Sequence, residues 1–209
     1  MPHVVLLGDS IFDNAIYVPG HPPVIEQLRR SLPSGWGATL AAVDGHITSD
    51  VPGQLADVPD DATHLVVSVG GNDALGHAGV LTVPSTSVNQ ALLELGQVQD
   101  AFRESYRTML RAVVQRDLPT AVCTVYDRVP GLGESERLAL GMFNESILRE
   151  AFALGLPVID LRLVCDQRTD YSDVSPIEPS VLGGAKIALA VAAVVTSHDF
   201  KRQQTSIYR

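Results

Sequence analysis

Two short motifs hold groups that can perform acyl chemistry. Gly8-Asp9-Ser10 ends the apolar run Val4–Leu7, and Gly70-Gly71-Asn72-Asp73 ends the apolar run Leu65–Val69. A given tripeptide arises by chance in roughly one chain in twenty of this length, so either motif alone is weak evidence. Together, each just past an apolar run, they are strong. A serine hydroxyl at the end of a buried strand and the start of a helix stands in a cleft, its own N–H near a positive dipole end, and can act as a nucleophile. Gly45, in Asp44-Gly45 after a further apolar run, lets its N–H approach a ligand closely because it has no Cβ, and Asn72 adds a side-chain amide. Ser10, Gly45 and Asn72 thus supply three donors for one oxyanion. The plainer uses are a helix N-cap for Ser10 and a turn residue for Asn72. Asp9 and Asp73 are read as braces of their loops.

In this order the three blocks resemble the SGNH/GDSL hydrolase family, whose name lists a serine, a glycine, an asparagine and a histidine from four blocks. The resemblance runs from Val4 to about Ala188. It implies Ser10 as nucleophile, an oxyanion hole of Ser10, Gly45 and Asn72, and a three-layer, flavodoxin-like sheet of five parallel strands in the order 2-1-3-4-5. The last block departs from the pattern. The family carries Asp-x-x-His there, then proline and glycine before the final helix; the histidine takes the serine proton and the aspartate orients it. Here the segment reads Ser175-Pro176-Ile177-Glu178-Pro179, with Gly183-Gly184 beyond. Aligning Pro179 and the glycines sets Glu178 in the histidine's place and Ser175 in the aspartate's.

As a base, Glu178 needs a raised pKa or a dry site. Otherwise it caps the following helix or pairs with a cation, and the chain binds an acyl or sugar ligand without turnover. His46 and His77, on loops that face the cleft, are the other candidate bases. Asp170 and Asp173 lie upstream, and spacing gives them no role.

The elements that must position these groups follow from periodicity. Five valine- and leucine-rich runs, Val4–Leu7, Ala38–Val43, Leu65–Val69, Thr120–Val125 and Leu156–Ile159, read as strands buried on both faces. Between them Val98, Phe102, Tyr106, Met109, Leu110 and Val113 recur along one helical face, and further helices are expected around Val24–Leu32, Glu134–Leu154 and Val181–Thr196. Alternating strands and helices predict a doubly wound α/β fold, in which ligands bind outside the carboxyl ends of the strands. Residues 1–200 are read as one domain, Gly76–Ser87 as a loop, and 201–209 as a loosely held polar tail.

Composition narrows the function classes. The 209-residue chain has a formal net charge of -9 and no basic stripe, so nucleic acid is a poor partner. The N-terminus has an apolar run of only four residues and no basic region, which predicts a cytoplasmic protein. The longest apolar run, Ile187–Val195, is nine residues where a membrane span needs about twenty. Cys123 and Cys165 lie in or beside strand-like segments and read as buried thiols. No metal or organic cofactor is implied: clustered His/Cys/Asp sets and the glycine-rich phosphate loops are both missing. The expected activity is hydrolysis, or transfer, of an acyl group from a small oxygen or thio ester through an acyl-enzyme on Ser10. A nucleotide binder on the same architecture is the competing class, since fold does not fix function.

Overall fold

The structure is a computed structural model and describes residues 1–202 and 204–209. Val4 and Leu6 pack into one core cluster while Val5 and Leu7 pack into a second, and all four are fully buried. Side chains alternate across a strand, so this split means that β1 (His3–Gly8) is covered on both faces. Five more strands join it: β2 (Gly37–Leu40), β3 (His64–Ser68), β4 (Thr120–Cys123), β5 (Val158–Ile159) and β6 (Ile207–Tyr208). All pairings are parallel, and the order is β2-β1-β3-β4-β5-β6.

The helices are α1 (Val24–Ser31), α2 (Val51–Gln54), α3 (Gly71–His77), α4 (Val88–Val114), α5 (Glu134–Ala153), α6 (Leu161–Val164) and α7 (Val181–Ser197). α1 and α7 cover one face of the sheet through Val24, Leu28, Ile187 and Val191. α4 and α5 cover the other through Phe102, Tyr106 and Met109, on the α4 face that periodicity picks out, and through Ile147 of α5. Buried Glu150 of α5 accepts Arg103 Nε at 2.6 Å and Arg107 Nε at 2.9 Å, locking α5 to α4. No helix among the described residues is long and apolar enough to cross a membrane.

The three-layer parallel architecture and the expected order of the first five strands hold, with two differences. The sheet has six strands rather than five, because part of the tail expected to be loose adds to the edge. Val158 N donates to Ser206 O at 2.8 Å and Asp160 N to Tyr208 O at 2.9 Å, so β6 satisfies edge donors that β5 would otherwise leave open. Two apolar residues in a polar tail are too few to show a period. The second difference is Gly76–Ser87, expected as a loop. α3 extends through His77, a 3-10 turn spans Ala78–Thr82, and only the residues before α4 are irregular. Glycines at 76 and 79 conceal this helical character, since glycine is a poor helix former.

Candidate active site

The order of the sheet decides which loops meet. β2 and β3 flank β1, so the segments after all three strands lie side by side at the carboxyl edge, where the strand order reverses. Gly8 ends β1 with φ +128°, and a Cβ there would fall on the carbonyl oxygen of Ser68, so only glycine allows Asp9 N to reach that oxygen at 3.1 Å. The chain then makes one helical turn: Phe12 N and Asp13 N both donate to Asp9 O, and Ile11 N donates to Asp9 Oδ1 at 3.1 Å.

That turn corrects an expectation. No helix starts at Ser10, the next helical element being a 3-10 turn at Ala15–Tyr17, and Asp9 rather than Ser10 serves as the cap. The Ser10 hydroxyl is left free of the backbone. It donates to Glu178 Oε1 at 3.0 Å, and both residues are buried.

Asn72 is not a turn residue holding its own backbone. Its Nδ2 donates to His46 O at 2.9 Å, bridging to the loop after β2, and one amide hydrogen remains available. Gly45 takes φ +80°, a left-handed conformation that favours glycine. Among the described residues neither Ser10 N nor Gly45 N has a hydrogen-bond partner. Asp73 is the brace the sequence suggests, its Oδ2 accepting Thr48 N and Thr48 Oγ1, each at 3.0 Å. The two histidines do not reach the serine. His46 Nδ1 is engaged with Gln54 Nε2 at 2.9 Å, and His77 is exposed with its ring 6.4 Å from that of Phe143.

Glu178 is held by its backbone. Its N–H donates to Ser175 O at 3.0 Å, its carbonyl accepts Ser172 N at 2.9 Å, and the flanking carbonyls of Ile177 and Pro179 accept Tyr126 Oη at 2.6 Å and Asn14 Nδ2 at 3.2 Å. No carboxylate orients the side chain in the way the usual aspartate would: Oε2 is buried without a hydrogen-bond partner among the described residues. Asp170 instead pairs with Lys186 at 2.8 Å, and Asp173 is exposed beside Arg168. Burial pushes the Glu178 carboxyl up to about 7; the Ser10 hydrogen bond opposes the shift and the charge of Asp44 adds to it. Asp9 is pushed up to about 8, again chiefly by burial, opposed by the Ile11 N–H and reinforced by the charges of Glu178 and Asp73.

Several positioning residues gave no sequence signal. Gln54 accepts Gly8 N and donates to Gly8 O, fixing the end of β1 to α2, and nothing marks one glutamine in a four-residue helix. Asn14 and Tyr126, which anchor the Glu178 segment, are equally silent. Tyr17 donates to Asp44 Oδ2 at 2.9 Å, and Asp44 N to Asp13 Oδ2 at 3.0 Å, forming an acidic cluster whose Asp44 charge acts on Glu178. A mostly apolar cavity of about 140 Å³ opens beside Ser10, Asn72 and Glu178, walled by α3, α4 and α5.

The chain matches the model of the GDSL-like lipase/acylhydrolase family over residues 6–184. A search of curated proteins found no match. Among solved structures, an extracellular lipase from Streptomyces rimosus is similar at 18% identity and a TM-score of 0.63, the match covering 94% of this chain and 99% of that one. A phospholipase A1 from Streptomyces albidoflavus is similar at 20% identity and a TM-score of 0.60, covering 94% and 98%. A lipolytic protein of the G-D-S-L family from Veillonella parvula is similar at 14% and 0.66, again covering 94% and 98%.

Proposed function

The chain belongs to the GDSL-like lipase/acylhydrolase family, which supports an ester-hydrolysing enzyme, and we propose that it works through an acyl-enzyme on Ser10 with Glu178 as the base. The observation that carries this reading is the 3.0 Å hydrogen bond from Ser10 Oγ to a buried carboxyl pushed up to about 7. A base is most effective when its pKa lies near the working pH, and burial gives Glu178 that property without a histidine.

In this mechanism the Glu178 carboxylate accepts the Ser10 proton as Oγ bonds to the ester carbonyl carbon. Ser10 N, Gly45 N and the free amide hydrogen of Asn72 receive the oxyanion. Protonated Glu178 then gives its proton to the departing alcohol oxygen or thiol sulfur, leaving the acyl group on Ser10. Water, or an acceptor alcohol, gives its proton to Glu178 as it attacks the acyl carbon, and Glu178 passes that proton to Ser10 Oγ as the acyl–Oγ bond breaks and the acid or new ester leaves. The four backbone contacts around residues 177–179 replace the usual orienting aspartate, holding the base by its main chain. The substrate is a small ester or thioester. A cytoplasmic location belongs to the same proposal and agrees with two buried cysteines that are free thiols.

A fluorophosphonate probe tests the mechanism. The wild type should label at Ser10, Glu178→Gln should label far more slowly, and Ser10→Ala should not label. A folded wild type that neither labels nor turns over any ester would identify a ligand-binding protein instead.

A further inference from the structure

The cavity beside Ser10 is polar at one end only. Asp9, Ser10, Asn72 and Glu178 stand at that end, and the walls continue through Leu75, Leu81, Val98, Leu140 and Phe143 of α3, the 3-10 turn, α4 and α5. The other charged or titratable residues on its lining are His77 and Glu136, both exposed, and Tyr126, whose hydroxyl is occupied by the carbonyl of Ile177. A site so built pairs a few convergent polar groups with a large apolar surface, the composition of a pocket that fixes one polar group and buries an apolar one.

An ester offers two halves to this space, and the reaction distinguishes them. The acyl half stays bonded to Ser10 through the intermediate, whereas the alcohol half must leave to solvent. Tyr17, Asp13 and Asp44 form a half-buried polar cluster whose Asp44 charge acts on Glu178, and they are not part of the cavity wall. They provide a wet, acidic side on which an alcohol can depart. Resting on the proposed Ser10 mechanism, we infer that the cavity is the acyl subsite and that its size makes the enzyme selective for medium-length straight acyl groups. The volume of about 140 Å³ is close to that of an apolar protein cavity of about 150 Å³ that stays dry and holds one benzene, which corresponds to an acyl chain of about six carbons. Each methylene buried up to that length raises kcat/KM about fourfold, and longer chains meet a packed wall and lose the gain.

The test is a series of 4-nitrophenyl esters from acetyl to dodecanoyl, with methyl hexanoate and hexyl acetate to separate the two orientations. The expected result is an optimum near hexanoyl and a preference for methyl hexanoate over hexyl acetate. Ala139→Leu, on the α5 wall, adds three carbons to the cavity and should move the optimum to about propionyl. Met142→Ala, on the same wall, should move it two or three carbons longer. A flat chain-length profile, an optimum unmoved by both variants, or a preference for hexyl acetate would overturn the assignment while leaving the Ser10 mechanism intact. If no ester turns over and Ser10 does not label, the mechanism fails and the subsite is judged by calorimetry on Ser10→Ala. Methyl hexanoate should bind at least tenfold more tightly than methyl acetate, and Ala139→Leu should remove the difference; equal binding of the two esters would refute the subsite as well.

Discussion

Replacing Glu178 by glutamine should separate catalysis from stability, because the same burial that tunes the base opposes its charge in the folded state. The folded carboxyl titrates at about 7 against 4.5 for the ordinary side chain. Between those values the folded protein holds a proton on Glu178 that the unfolded chain has released, so the contribution of Glu178 to wild-type stability falls as pH rises from 4.5 to 7 and is level above. At 1.36 kcal/mol per unit the fall amounts to about 3 kcal/mol. Glu178→Gln keeps the shape, still accepts the Ser10 hydroxyl, and has no charge to desolvate. Relative to wild type it should therefore be more stable at pH 8 than at pH 4.5 by about 3 kcal/mol, or roughly 6–12 °C in Tm for a chain of this size. Activity should show the opposite preference. The working form is the carboxylate, so wild-type kcat/KM should fall about tenfold per pH unit below 7, to about 1% of its plateau at pH 5, while the glutamine variant is severely impaired at every pH. Thermal unfolding at the two pH values and a pH–rate profile on one ester make the measurement. A variant as active as wild type would show that Glu178 is not the base, and a stability difference that does not change with pH would show that it is not a desolvated carboxylate.

Asn72→Ala should lower kcat about a hundredfold to a thousandfold with little change in KM, because its donor matters most when the oxyanion forms; a pure KM effect would reassign it to substrate binding. Gly45→Ala meets no protein atom within 4 Å of the new Cβ, so its cost comes from the φ of +80° and from a displaced N–H. We expect about 1 kcal/mol of lost stability and a kcat loss comparable to that of Asn72→Ala, and wild-type kinetics in the folded variant would remove Gly45 from the oxyanion hole. Ser175→Asp combined with Glu178→His should recover the ester hydrolysis lost in Glu178→Gln, with a limb near about pH 6.5, and Glu178→His alone should do less, since nothing then orients the ring. Equal rates from the single and double variants would show that position 175 does not reach the ring.

The sequence by itself determined the first five strands, most of the helices and the ends of β1 and β3 where the chemistry gathers. Apolar runs buried on both faces and the 3.6-residue repeat of α4 are local patterns, and the glycines at 8 and 45 answer to backbone angles set within a few residues. It also isolated Ser10, Gly45, Asn72 and Glu178 as candidates. Only the tertiary structure decided how those candidates relate. Ser10 and Glu178 lie 168 positions apart, and their hydrogen bond exists because Asn14, Tyr126 and the Ser172–Ser175 turn hold the last block against the first. Glu178's raised pKa is likewise nonlocal, since desolvation is the sum of many surrounding atoms that no spacing records. Asp9 rather than Ser10 caps the first turn, and the serine hydroxyl donates instead to a side chain from the other end of the chain. The sixth strand and the apolar cavity follow the same logic: one depends on open donors at the edge of β5, the other on three helices meeting around Ser10.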